Sequence, residues 1–328
     1  MRFGLIAFLF LFFTSLLLIS YSIFFPVKNS LTEDVLFSVG RGENFHQIGD
    51  RLKDDGLIKH PLLFDFYVIV SGSRKNLKAG DYLLNPSMSI IKISKKIVSG
   101  DIAMQKFTVI EGWRAEDIAK EASSQLGLDG ERIERIIENE QKESFEVMSG
   151  ELIKHSLEGY LFPDTYYLSY DIDEKGLIES MLENFRLKIP QKEIEDSNKE
   201  LSDIITMASI IEKEVKTLED KKVVSGILWK RLEIGMPLQV DATIIYLTGK
   251  RSTKVSIEET RINSPYNTYV NKGLPPGPIS NPGIDSIMAA LYPTSTDFLY
   301  YLSKPNGETV FSVDFESHLI NKNKYNEK

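Results

Sequence analysis

The chain opens on an almost unbroken apolar run, Gly4 to Phe25, whose few polar side chains are Thr14, Ser15, Ser20, Tyr21 and Ser22. At ~1.5 Å rise per residue, a helix of this length reaches roughly 33 Å, enough to cross a hydrocarbon core of about 30 Å. The hydroxyls can bond back to the helix backbone. The run is also too long for the apolar core of a cleaved signal peptide. The pattern therefore predicts an uncleaved transmembrane helix, with residues 1–30 forming a short cytoplasmic tip and a single anchor. Arg2 and the amino terminus lean the orientation toward a cytoplasmic N-terminus by the positive-inside rule.

Two later segments share one pattern. Phe37 to Leu52 and Phe107 to Ala122 each read as a strand of period two, a glycine turn and an amphipathic helix. Phe37 matches Phe107, Val39 matches Val109, Gly42 matches Gly112 and Ile48 matches Ile118. Between them, Ala79 to Ile97 predicts a short strand, a turn at Asn85-Pro86 and a helix capped by Ser87 or Ser89. Glu116 to Glu146 is charged and helical, with apolar positions at Ile118, Leu126, Ile133, Ile136 and Ile137. At Leu157 the composition shifts to aromatic, Gly and Pro residues. The polar tail from Asn321 to Lys328 is expected to fray. The fold class expected is α+β: the N-terminal helix, β-α modules over 31–156, and a mixed α+β catalytic domain over 157–328.

Composition narrows the chemistry. The 328 residues carry 47 acidic and 39 basic side chains, a net charge of -8. No broad basic surface is implied, so nucleic acid is a poor ligand and a neutral or polar polymer an acceptable one. There is no cysteine, which excludes disulfides, thiolate metal sites and cysteine nucleophiles. His46, His60, His155 and His318 are the four histidines, and none pairs at metal-ligand spacing.

The candidate for catalysis is the helix Ile204 to Val215. At about 100° per residue, Ile204, Ile205, Ala208, Ile211 and Val215 share a face, and Glu212 falls on it. A carboxyl among apolar side chains has its charged form disfavoured, which raises its pKa toward the range of a general acid. Glu214 lies at the opposite border of the stripe, near Ile210 and Met207. Periodicity does not choose between the two glutamates. Further on, Gln239, Asp241 and Thr243 stand at period two on one side of an extended segment. Asn267 to Gly283 forms a Gly/Pro loop with amide and aromatic side chains. Aromatic faces with Asn, Gln and Asp neighbours suit a sugar, whose ring stacks while its hydroxyls need donors and acceptors.

Phe37 to Leu52 resembles the opening of a LysM glycan-binding module. Four ordered motifs carry a longer resemblance: LEGYLFPDTY from Leu157, MASIIEKEV from Met207, LQVDATIIY from Leu238 and SPYNTYVNKGLPPGPISNPG from Ser264. Over roughly Leu157 to His318 the chain is similar to the endolytic murein transglycosylases, the YceG-like family. Val240 and Ala242 stand where that family more often has Ser or Thr and Pro. The resemblance implies that the catalytic group is the first Glu of SIIEKE, Glu212. It implies a lyase that cuts the β-1,4 bond between N-acetylmuramic acid and N-acetylglucosamine, leaves a 1,6-anhydro end, and trims or terminates nascent strands. Gln239, Asp241, Tyr246, Asn267 and Tyr269 are then sugar-positioning residues. Neither metal nor cofactor is implied. The partners implied are peptidoglycan glycan strands, the membrane and peptidoglycan synthases. The implied location is the cytoplasmic (inner) membrane, single-pass, with the catalytic part extracytoplasmic or periplasmic. The rival readings are a non-catalytic, membrane-tethered glycan-binding scaffold and a hydrolytic muramidase using Asp241 as a second carboxylate.

Overall fold

The computed structural model describes Phe10, Thr14, residues 26–27, 33–138, 145–148, 151–153, 156–250, 254–304 and 306–326. The chain divides into two compact units, 1–106 with 167–172, and 107–166 with 173–328. Among the described residues no helix is long and apolar enough to cross a membrane. That overturns the N-terminal transmembrane helix expected from the apolar run, whose residues lie almost wholly outside the described ones. What stands is a mixed α+β fold whose described sheets are all two-stranded.

The first unit is built in the order β1 (Val35–Val39), α1 (Phe45–Asp54), α2 (Pro61–Val70), β2 (Gly80–Leu84) and α3 (Ile90–Ser99). β1 and β2 pair antiparallel, with Val35 opposite Leu84 and Val39 opposite Gly80. Alternation sends Phe37, Val39, Tyr82 and Leu84 into a core completed by Ile48, Leu52, Phe64 and Ile93. α1 starts at a reciprocal cap. Asn44 Oδ1 accepts from Gln47 N at 3.0 Å, and Gln47 Oε1 accepts from Asn44 N at 3.1 Å. Of the two serines weighed for α3, Ser89 is the cap.

The repeated strand-turn-helix pattern is present twice. β3 (Met104–Thr108) and α4 (Ala115–Leu126) form the second copy. Phe37 and Phe107, Val39 and Val109, and Ile48 and Ile118 are all buried. Gly42 and Gly112 turn the chain with φ of 79° and 77°, a left-handed conformation that side chains disfavour. β3 pairs with β6 (Thr165–Ser169), and the division between units runs through both strands. The residues from Phe107 onward in the second copy fall in the second unit. α4 packs on α5 (Gly130–Ile137), which buries Ile133 and Ile137. The helical reading fails beyond residue 144. Phe145–Met148 (β4) and Glu151–Ile153 (β5) form a hairpin there.

The second unit continues through α6 (Glu174–Lys188), α7 (Gln191–Asp196), α8 (Leu201–Glu214), α9 (Leu218–Glu233), α10 (Asp241–Thr248) and α11 (Ile284–Leu291). It ends with the antiparallel hairpin β7 (Tyr300–Ser303) and β8 (Thr309–Ser312), followed by α12 (Phe315–Asn326). α12 carries the expected frayed tail as helix to Asn326. Asn321 Nδ2 donates to Ser312 Oγ at 3.0 Å, and Lys304 lies 4.4 Å from the centre of the Tyr325 ring. α8 packs on α9 and α11, and every residue from Ile204 to Ile211 is buried. The helix is therefore enclosed on all sides, where the sequence suggested a single stripe.

Two buried polar groups fasten the loops around α8. Ser209 Oγ accepts from Ile279 N at 3.0 Å, and Ser280 Oγ donates to Ser209 O at 3.1 Å, which ties the Gly/Pro loop to the helix. Asn281 is fully buried. Its Oδ1 accepts from Gly159 N at 2.9 Å and Leu161 N at 3.0 Å. Its Nδ2 donates to Trp113 O at 3.0 Å and Glu158 Oε1 at 2.9 Å. An amide has two donors and two acceptor positions, and all are used. Gly159 is required where this network closes, because a Cβ there would lie 2.5 Å from Pro278. Asn281→Ala should destabilise the second unit by about 3 kcal/mol or more, since it strands several buried partners. Urea unfolding measures this, and a loss under about 1 kcal/mol would contradict it.

Candidate active site

A cleft of about 1370 Å³ opens in the second unit. Its lining includes Glu214 at the end of α8, Gln239 and Asp241 at the start of α10, Tyr269 in the Gly/Pro loop, and Tyr301 on β7. Arg231 of α9 holds these pieces together. Its Nε donates to Leu299 O and its Nη1 to Leu238 O, both at 2.7 Å, and its guanidinium lies 4.9 Å from the centre of the Tyr300 ring. Gln239 adopts φ of 51°, an uncommon conformation for a residue with a side chain. It is fixed there by Gln239 N donating to Thr268 O at 3.0 Å and Val240 N to Thr268 Oγ1 at 3.0 Å.

Glu214 is partly buried and takes a hydrogen bond from Tyr301 Oη at 3.0 Å. Burial pushes its carboxyl up to about 7, helped by the nearby Asp241 charge and opposed by the hydrogen bonds from Tyr301 and the Ala242 N–H. Tyr269 Oη donates to Asp241 Oδ1. Raised pKa alone does not single out Glu214. The Glu158 carboxyl is also driven to about 7 by burial. Glu158, however, is engaged by Ala115 N at 3.0 Å and by Asn281 and does not line the cleft. Two carboxyls on the cleft wall have raised pKa values, Glu134 and Glu214, and burial drives Glu214 as far as about 7.

Glu212, the residue the family resemblance implied, does not line the cleft. Both its oxygens accept from Lys221 Nζ at 3.2 Å, in a pair whose side chains are 9% and 4% exposed. Oε2 also accepts from Gly283 N at 3.1 Å and Ser286 Oγ at 2.6 Å, at the N-terminus of α11, where a helix favours negative charge. These contacts occupy the carboxylate. The two glutamates are about 200° apart around α8, so they leave the helix in nearly opposite directions.

The other expected residues divide. Gln239, Asp241 and Tyr269 line the cleft together. Tyr246 does not; it packs against Tyr266 at 5.2 Å and under the Arg114 guanidinium at 5.2 Å. Asn267 is fully buried and spends its side chain on the loop, donating to Ile262 O at 2.7 Å and Thr260 O at 3.1 Å and accepting from Tyr269 N at 2.9 Å. The period-two reading of Gln239, Asp241 and Thr243 also fails. Asp241 opens a helix, and Thr243 is buried against Thr268 at 3.0 Å. Sequence reasoning missed Arg231, Tyr300, Tyr301, Phe315, His318 and Lys322. These come from α9, β7 and α12, and it is the packing of these elements that brings them to the cleft. His318 Nδ1 is buried with no partner among the described residues. Burial, then the charges of Lys322 and Arg231, lower its pKa and favour the neutral ring. Among the described residues no group of three or more His, Cys, Asp or Glu could hold a metal ion.

The model of the YceG-like family matches residues 37–324. A protein of Bacillus subtilis called endolytic murein transglycosylase is 34% identical over 92% of this chain and 87% of its own length. One of the same name from Streptococcus pneumoniae is 31% identical over 89% of this chain and 58% of its own. A crystal structure of a yceG-like protein from Listeria monocytogenes superposes with a TM-score of 0.61 at 32% identity, covering 89% of this chain and all of that one.

Glu212→Ala leaves Lys221 charged, buried and unpaired, which should cost about 3–5 kcal/mol of stability in urea unfolding. The double variant Glu212→Leu with Lys221→Met should recover most of that loss. An unchanged midpoint in the single variant would contradict the anchoring role.

Proposed function

The chain belongs to the YceG-like family, and from that premise we propose that it is an endolytic murein transglycosylase with Glu214 as its acid and base. The observation that carries the reading is the Glu214 carboxyl, half-buried on the cleft wall with its pKa pushed up to about 7. A general acid that must also act as a base works best with a pKa near the working pH. Glu214 in its protonated form gives its proton to the glycosidic oxygen as the C1–O bond breaks. The carboxylate then takes the proton from the C6 hydroxyl of the N-acetylmuramic acid, whose oxygen closes on C1. The products are a 1,6-anhydro end and a free N-acetylglucosamine hydroxyl.

Because the nucleophile is part of the substrate, its effective concentration is high and one carboxyl serves both steps. Tyr301 Oη donates to Glu214 Oε2, and this bond and the one from the Ala242 N–H favour the carboxylate that takes the second proton. Gln239 and Tyr269 are the sugar-positioning candidates within reach of the cleft. In this reading the catalytic part acts outside the cytoplasm on nascent strands, alongside peptidoglycan synthases. The strand-helix-helix-strand order of β1, α1, α2 and β2 supports reading that unit as LysM-like and glycan-binding.

Asp241 favours one second reading. It lies in the same cleft and raises the Glu214 pKa by its charge, and a two-carboxylate hydrolase needs such a neighbour. Mass spectrometry of digested peptidoglycan separates the two, with anhydro ends expected and reducing ends alone favouring the hydrolase. Glu214→Gln should fold and lose activity by about 10²–10⁴-fold. Glu212→Gln should keep the end-group chemistry of whatever fraction folds. Wild-type turnover should fall as pH rises above about 7, where Glu214 gives up the proton it must donate. Turnover that rises through that range would contradict the acid role.

A further inference from the structure

The cleft is not uniform in chemistry. Glu214 and Asp241 supply acid groups. β7 and α12 supply a different surface, in which Tyr300 meets Phe315 at 5.8 Å and stacks on His318 at 5.3 Å. On α12, Phe315, His318 and Lys322 follow at three and seven residues, so they share one helix face. Phe315 is 56% exposed, a large apolar ring turned to solvent at the edge of a cleft. Lys322 is exposed and makes no ion pair among the described residues. Arg231 spends its donors on carbonyls but keeps its charge, and lies over Tyr300. Both cations act on His318. This wall is therefore locally positive in a chain of net charge -8.

We propose that Phe315 and Lys322 form a subsite for an N-acetylhexosamine ring that carries a carboxylate. The ring lies against Phe315, and the carboxylate meets the Lys322 ammonium. The subsite rests on the proposed glycan-cleaving function and defines its substrate further, by favouring anionic strands over neutral ones. On a peptidoglycan strand the carboxylate has two sources, the lactyl group of a muramyl residue without its peptide, or the peptide stem itself. A flat apolar face and an exposed cation fit either. Stacking supplies most of the affinity, and the cation discriminates between strands.

The test uses the full chain with Glu214→Gln, so that binding is read without turnover. Calorimetry compares three probes: neutral chitooligosaccharide, stem-free peptidoglycan glycan fragments, and stem-bearing fragments. At low salt the anionic fragments should bind more tightly than chitooligosaccharide, and the advantage should shrink with added salt. Lys322→Met should weaken the anionic fragments about fivefold and leave chitooligosaccharide unchanged. Phe315→Ala should weaken all three about tenfold. Whichever anionic fragment responds to Lys322→Met identifies the source of the carboxylate, and a response of both supports the shared chemistry. Equal binding of neutral and anionic probes, an equal effect of Lys322→Met on all three, or no binding of any would overturn the subsite. The end groups released by the wild-type enzyme are read separately. Anhydro ends without a Lys322 effect sink only the subsite. A Lys322 effect without anhydro ends sinks only the transglycosylase reading.

Discussion

Three consecutive charged side chains leave the last turn of a helix whose middle, Ile204 to Ile211, is buried on every side, and each has a partner of its own. That pairing organises the second unit. Glu212 turns to Lys221 and the N-terminus of α11. Lys213 reaches the Gly112 carbonyl at 3.0 Å. Glu214 turns to Tyr301 and the cleft. The first two contacts hold the helix end from two directions. A carboxyl that is partly desolvated and hydrogen-bonded by Tyr301 has the properties of a general acid. The same enclosure makes the arrangement costly to disturb, because an unpaired charge here has little water to turn to.

The loops obey the same logic. The Gly/Pro segment crosses α8 through Ser209 and meets the turn at Gly112 and Trp113 through Asn281. Asn281 also fixes the backbone at Gly159 and Leu161. The motif beginning at Leu157 and the Gly/Pro loop are thus two halves of one buried polar network. Asn267 spends both ends of its side chain on nearby backbone, at Thr260, Ile262 and Tyr269.

Local periodicity read the repeated strand-turn-helix units well, because each is a short element whose buried positions follow from its own spacing. Phe37 and Phe107, or Gly42 and Gly112, were legible as pairs for that reason. It read α8 less well. A helix buried all round has no single apolar stripe, so helical phase could not tell which glutamate faces a cleft. Only the positions of α9, α11 and β7 decide that, and these are set by contacts distant in sequence. The family motif pointed to Glu212, while the geometry brings Glu214 to the cleft. At Asp241 an extended reading gave way to a helix, since α10 begins there and buries Thr243. The apolar run at the N-terminus predicted a membrane span that the described residues do not contain.

The protonation of Glu214 is the quantity on which the proposed mechanism depends. Carbon-13 NMR of protein labelled at the glutamate carboxyls, titrated from pH 4 to 9 beside the Glu214→Gln variant, isolates the one signal that disappears in the variant. With Glu214 as the acid, this signal titrates at about 7. A Glu214 signal titrating near 4.5, the ordinary value for this side chain, would contradict it.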